Sequence, residues 1–262
     1  MTAFGSVVRH ASTDLPPPPV ALPPHAALFL DLDGTLAPIM PRPEQVGPDA
    51  RRAALLDDLT RALDGRVAVV SGRALEDIDR ILEDRVKYVA AVHGLVRRGV
   101  HGVDRTPPHP DLDHARDVLR ELARSDRGLL FEDKTLSVAL HYRNVPSAAD
   151  AVIEAAERLA QGSHLVLQLG DMVAELRTPG QDKGKSVSAF LREAPFDGAT
   201  PVFIGDDLTD EDGFAAAARL GGYGVLVGPE RPTQAAYRLN DCDAVLGWLS
   251  AGLKALGGRT AA

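Results

Sequence analysis

Ala26-Ala27-Leu28-Phe29-Leu30 runs straight into Asp31-Leu32-Asp33-Gly34-Thr35, and this junction decides the fold. Five apolar residues without alternation predict a short strand covered on both faces, as in a parallel sheet between helices. Side chains of an extended chain alternate, so residues two apart point the same way. Asp31 and Asp33 therefore stand together at the mouth of the sheet. Gly34 lets the chain turn, and Thr35 adds a hydroxyl. Carboxylates forced together repel unless a cation or a proton joins them. The arrangement asks for Mg²⁺ and offers one acid as nucleophile and the other as proton donor. The plain alternative is an Asp-rich turn whose acids cap a helix.

Outward from this junction the same rhythm repeats. Further buried strands are expected at Val67 to Val70, Tyr88 to Val92, Val202 to Ile204 and Gly224 to Val227. Helical stretches lie between them at Pro48 to Leu63, Leu75 to Asp84, Lys185 to Glu193 and Glu211 to Leu220. Strands alternating with helices predict an open α/β sheet with right-handed crossovers. Ligands of such sheets bind beyond the carboxyl ends of the strands.

The middle of the chain breaks this rhythm. A helix is expected over Asp111 to Ala123, then strands over Gly128 to Asp133 and Leu136 to Arg143. A second helix, Ala148 to Gln161, precedes strands at His164 to Leu169 and Val173 to Arg177, joined by the hairpin pair Gly170-Asp171. Helix-strand-strand thus occurs twice. An inserted α+β domain is expected over residues 107–179, between core segments 25–106 and 180–262. Residues 1–24, with Pro16 to Pro19 and Pro23-Pro24, read as a disordered or polyproline leader.

Three more polar clusters sit at strand ends. Ser71-Gly72-Arg73 follows Val67 to Val70, where a hydroxyl and the N–H groups opening a helix suit a phosphoryl oxygen; a simple Ser cap is the alternative. Lys183-Gly184 precedes another helix, and its ammonium suits either a phosphoryl group or solvent. Gly205-Asp206-Asp207-Leu208-Thr209-Asp210-Glu211 places four acids beyond a buried strand, an arrangement costly without a cation.

Composition limits the options. The 262 residues are 45% hydrophobic and 25% charged, which fits a globular chain with an ample core. The net charge of −8, from 29 basic and 37 acidic residues, argues against nucleic acid and anionic membranes as partners. Cys242 is the one cysteine, so no intrachain disulfide or cysteine-based zinc site is available. No apolar run reaches the ~18 residues of a membrane span. Met1 to Leu15 lacks the basic start and apolar core of a signal peptide, so the cytoplasm is the expected location.

Asp31-x-Asp33-Gly34-Thr35, Ser71, Lys183 and Gly205-Asp206-Asp207-x-x-Asp210, in this order, resemble the haloacid dehalogenase superfamily of aspartyl-phosphate phosphatases. The resemblance implies a Rossmann-like α/β core with a parallel sheet and an inserted α+β cap of the C2B type. It implies that Asp31 attacks phosphorus, that Asp33 protonates the leaving group and then activates water, and that Ser71 and Lys183 hold phosphoryl oxygens beside Thr35. Mg²⁺ would be held by Asp31, the Asp33 carbonyl and Asp206, with Asp207 and Asp210 joining directly or orienting the shell. Dehalogenating members lack an acid at the Asp33 position.

Glu132-Asp133-Lys134, His141-Tyr142-Arg143, Glu175-Leu176-Arg177-Thr178-Pro179 and Lys183-Gly184, with His93-Gly94 and Arg97-Arg98, resemble trehalose-6-phosphate phosphatases. That implies Glu132, Lys134 and Glu175 on the disaccharide hydroxyls, with Gly72, Arg73 and His93 also lining the substrate site. Leu95-Val96 depart from the pattern, since an acid often stands there. The expected partner is a phosphorylated disaccharide, and the expected state a monomer. Competing readings are a phosphatase for sucrose 6-phosphate or mannosyl-phosphoglycerate, or a catalytically weak phosphosugar-binding regulator. Surface ion pairs are the plain alternative for the Glu132, Lys134 and Glu175 group.

Overall fold

The apolar run becomes the central strand β1 (Ala26–Leu30), buried along its whole length. The computed structural model describes residues 15–259. After β1 come α1 (Ala50–Ala62), β2 (Val67–Val70), α2 (Leu75–Leu82), β3 (Tyr88–Ala91), β4 (Val96–Gly99) and β5 (Gly102–Arg105). The next stretch holds α3 (Asp111–Ser125), β6 (Leu130–Asp133), β7 (Ser137–His141), α4 (Ala149–Gln161), β8 (Val166–Gly170) and β9 (Val173–Arg177). The chain closes with α5 (Lys183–Phe190), β10 (Thr200–Gly205), α6 (Glu211–Arg219), β11 (Tyr223–Val227), β12 (Tyr237–Leu239) and α7 (Cys242–Arg259).

The larger sheet runs β12-β11-β10-β1-β2-β3-β4-β5, parallel from β12 to β3. Alternation along β1 and β2 feeds two apolar layers. Leu28, Leu30, Val67 and Val69 face Leu56 and Leu59 of α1, Ile78 of α2 and Leu249 of α7. Ala27, Phe29, Ala68 and Val70 face Phe190 of α5, Phe196 and Phe214 of α6. The chain leaves β1 toward β2 on one side and returns as β10 on the other. The β1/β10 boundary is thus a topological switch point, where a crevice opens beyond the strand ends.

Strands β4 and β5 extend the sheet antiparallel and were not expected. Val96-Arg97-Arg98-Gly99 shows no apolar run: Val96 enters the core, while Arg98 holds Asp79 by two 2.7 Å hydrogen bonds. β12 and α7 are likewise additions to the sequence reading. Helix α5 begins two residues earlier than expected, because Asp182 caps it by accepting from the Lys185 N–H at 2.6 Å.

The smaller sheet, β6-β7-β9-β8, is fully antiparallel. One face packs Val138, Leu140 and Leu176 against Leu112 and Leu119 of α3 and Val152 and Ala156 of α4. The β8–β9 loop is Asp171-Met172, one residue later than Gly170-Asp171, since Gly170 pairs with Val173. Met172 takes the positive φ of 59°.

The proline-rich segment departs from a free leader over its described part, residues 15–24. Leu22 is buried in the core beside α7. Trp248 Nε1 donates to the Pro19 carbonyl at 2.9 Å, and the Arg238 N–H donates to Pro16 O at 3.0 Å. Prolines have no N–H but keep their carbonyls, so the segment is held through its acceptors. Residues 1–14, where the rest of the expected leader falls, lie outside the described residues.

Candidate active site

Asp31 follows β1, with its N–H still bonded to Ile204 O across the switch point at 2.9 Å. Its Oδ1 accepts from Lys183 Nζ at 2.8 Å. Lys183 comes from the first turn of α5 and also donates to Asp210 Oδ1 at 2.6 Å. All three residues are buried. Asp210 Oδ2 accepts from the N–H groups of Asp206 and Asp207, each at 3.0 Å, which bends the chain after β10 and sets Asp206 beside β1. Thr35, fully buried, points its hydroxyl at Asp206 Oδ1, 3.4 Å away. Gly34 has φ 77°, and a Cβ there would lie 2.1 Å from Asp206 Oδ2, so no other residue fits.

Three acids and one lysine share this buried floor. Oxygens of Asp31, Asp206 and Asp210 lie within 4.8 Å of one another. Burial, with the charge of Asp210 and against that of Lys183, pushes the Asp31 carboxyl up to about 7. Burial and the neighbouring Asp31 and Asp210 push Asp206 up to about 9. Burial opposes the Lys183 charge, but Asp210 and Asp31 outweigh it and raise its pKa. Both Asp210 oxygens are engaged, which makes it a positioning group. Asp31 and Asp206 have ligand oxygens left, and an oxygen-only donor set of this kind suits a hard divalent cation. The Asp207 carboxylate instead turns to the Leu208 N–H, at 2.7 Å. It stays at the rim of the cleft, outside the group of three acids.

The second acid is held differently. Arg73 donates from Nε to Asp33 Oδ2 at 2.6 Å and from its terminal nitrogen to Oδ1 at 2.7 Å. Another Arg73 nitrogen donates to Pro43 O at 3.0 Å. Burial weighs against the guanidinium charge, yet these bonds raise its pKa overall. Ser71, at the end of β2, is buried, and its hydroxyl accepts from the Arg73 N–H at 3.2 Å. Ser71 does not cap α2, whose N-cap is Ala74 with no side-chain cap bond; its hydroxyl closes a local turn and lines the cleft. Gly72 makes room for His93: a Cβ there would meet the imidazole Nε2 at 2.5 Å.

The smaller sheet roofs the cleft with the face that its helices leave free. Register places Glu132, Ala139, Glu175 and Gln168 in one row across all four strands. Glu175 Oε2 accepts from Lys134 Nζ at 2.9 Å, and Glu132 Oε2 lies 2.9 Å from His141 Nε2. Lys134 is also 3.8 Å from Glu132. Burial works against the Glu175 charge, but Lys134 overrides it and holds that carboxyl well below its usual range.

Gln168 was not singled out from sequence, nor was Arg177 given a role. Arg177 donates to Gln168 Oε1 at 3.2 Å, so the amide nitrogen faces His93, 2.9 Å from Nε2. Burial lowers the His93 pKa, against the pull of the Glu175 carboxylate, whose Oε2 lies 3.6 Å from the same Nε2. Roof and floor therefore meet through Arg177, Gln168 and His93. Register alone selects Gln168, and a strand pattern read one strand at a time carries no register. The cleft gathers Asp31, Asp33, Ser71, Gly72, Arg73, His93, Glu132, Lys134, Glu175, Lys183, Asp206 and Asp207; Thr35 lies just below its surface.

A model of the family described as trehalose-phosphatase matches residues 29–243, most of the chain. The chain belongs to the trehalose-phosphatase family. A trehalose-6-phosphate phosphatase of Escherichia coli is 41% identical over 227 residues, covering 85% of each chain. A probable trehalose-phosphate phosphatase of Sinorhizobium fredii is 37% identical over 214 residues, 80% of each. Among solved structures, a trehalose-6-phosphate phosphatase related protein superposes with a TM-score of 0.70 at 26% identity, over 89% of this chain and 99% of its own. The C-terminal domain of the Candida albicans trehalose-6-phosphate phosphatase reaches 0.78 at 22% identity, over 87% and 92%. A sucrose-phosphatase from Synechocystis, at 0.57 and 15% identity over 86% and 97%, shares the fold.

Proposed function

We propose that the protein hydrolyses trehalose 6-phosphate to trehalose and phosphate through an aspartyl-phosphate on Asp31. The observation that carries this is the join of the two halves: a buried Asp31–Lys183–Asp210 floor beneath a carboxylate and ammonium roof of Glu132, Lys134 and Glu175. The floor suits a phosphoryl group, and the roof suits vicinal hydroxyls. The family relatives named above act on a phosphorylated disaccharide of this kind by their names, which supports the substrate.

Lys183 keeps Asp31 ionised enough to attack phosphorus and holds a phosphoryl oxygen as charge builds. Ser71 binds a second oxygen. Mg²⁺, held by Asp31, Asp206 and the Asp33 carbonyl, would supply positive charge for the phosphoryl oxygens. A sugar alkoxide is strongly basic and needs a proton as it leaves. Asp33 stands two residues from the nucleophile to provide it. The same carboxylate then takes a proton from the water that hydrolyses the aspartyl-phosphate, and Arg73 holds it in place beside the nucleophile. Glu132, Lys134 and Glu175 orient the sugar, and Gln168 with His93 holds the roof against the floor.

The test is phosphate release from trehalose 6-phosphate, sucrose 6-phosphate and glucose 6-phosphate, each with Mg²⁺ and with a chelator. Preference for trehalose 6-phosphate, dependent on Mg²⁺, is expected. Equal rates on all three would remove the substrate assignment, and full activity in chelator would remove the metal.

A further inference from the structure

Away from the cleft, His109, Asp111 and His164 meet at the base of the smaller sheet. His109 sits in the Pro107-Pro108-His109-Pro110 connection that enters this part of the chain. Asp111 is the first residue of α3, and His164 lies in the loop before β8. Asp111 Oδ2 is 3.4 Å from His109 Nδ1 and 3.3 Å from His164 Nδ1. One ligand atom from each residue lies within 4.8 Å of the other two. Ligands bound at the usual zinc distances span tetrahedral edges of about 3.3–3.4 Å, which the two nitrogen–oxygen separations match.

The Asp111 N–H donates to His109 Nδ1 at 3.3 Å, so that nitrogen presents its lone pair toward α3, and an ion bound there would take the place of this bond. The backbone also holds the site in shape: the His164 N–H donates to Asp111 Oδ2 at 2.9 Å. The His109 N–H donates to Thr178 Oγ1 at 3.1 Å, tying the entering connection to the returning one.

We propose that His109, Asp111 and His164 bind a divalent transition ion of the zinc class, with water in the fourth position. Two imidazoles and one carboxylate favour such an ion over Mg²⁺, which prefers oxygen. Bound there, the ion clasps the entering connection to the loop before β8 and stiffens the base of the smaller sheet. The cleft contributes no residue to this site.

The test titrates the full-length, untagged protein with Co²⁺ in a large excess of Mg²⁺, which occupies the oxygen-only site. One equivalent of Co²⁺ with the visible absorption of a four-coordinate ion is expected, displaced by Zn²⁺. His164→Ala, at an exposed position, should weaken this binding at least tenfold, as should His109→Ala. Zn²⁺ should raise the melting temperature of the wild type and leave that of His164→Ala unchanged. Absence of a Mg²⁺-resistant equivalent would overturn the proposal, as would its survival in His164→Ala. If His109→Ala fails to fold, His164→Ala alone decides.

Discussion

Asp31 and Asp33 stand two residues apart yet live in different surroundings. Asp31 is buried against Lys183, whereas Asp33 is clasped by Arg73. In the proposed reaction that difference separates nucleophile from proton carrier. Asp31→Asn should abolish turnover and leave the circular dichroism spectrum intact, since the amide attacks poorly and keeps the volume. Rapid quench of the wild type should place labelled phosphate on Asp31, and label on Ser71 would refute the mechanism. Asp33→Asn should slow trehalose 6-phosphate far more than p-nitrophenyl phosphate, whose leaving group departs without a proton. Equal losses on both would make Asp33 structural. The spacing of the two acids was legible from the chain. The Arg73 clasp was not, because Arg73 lies 40 positions away and meets Asp33 only when β2 packs beside β1.

At the scale of elements, the smaller sheet works through register. Strand parity in the sequence places Glu132 and Lys134 on one side, but only pairing through β7 and β9 brings Glu175 and Gln168 into the same row. A hydrogen bond from a charged group to a hydroxyl contributes about 1.5–3 kcal/mol. Glu132→Ala or Glu175→Ala should therefore lower kcat/KM for trehalose 6-phosphate about ten- to a hundredfold. Hydrolysis of p-nitrophenyl phosphate should change little, and parallel loss of both activities would mean that these residues hold the roof shut. The same pair sets an acid limit. Burial works against the Glu175 charge and Lys134 overrides it, so its carboxyl titrates well below the ordinary 4.5. The unfolded chain then takes up the proton more readily. The stabilisation is whole above pH 4.5 and is lost as pH falls toward the folded value. Urea midpoints measured from pH 7 to pH 3 should drop less steeply in Glu175→Gln than in the wild type.

At the scale of the molecule, the proline-rich segment and α7 close the layer behind β1. Leu22 is 2% exposed within the core, beside Gly252 of α7. Leu22→Ala should cost about 2–5 kcal/mol of unfolding free energy, read by denaturant titration. kcat should hold, since Leu22 precedes the start of β1 and lines no part of the cleft beyond the strand ends. A change below 1 kcal/mol would show that the segment only rests on the surface. Composition alone reads this stretch as free chain, because prolines rule out helix and ladder. It does not reveal that proline carbonyls can accept from Trp248 and Arg238.

The sequence by itself determined the α/β class and the four polar clusters that meet at the strand ends. Each rests on local information: an apolar run, a period, or acids at a strand terminus. Tertiary structure decided which groups share a proton, a charge or a contact. Lys183 bridges Asp31 to Asp210, Arg73 closes on Asp33, and Gln168 reaches His93 from the other sheet. These partners are set by strand order and register, and by the burial that makes lone charges costly; no stretch of neighbouring residues encodes them.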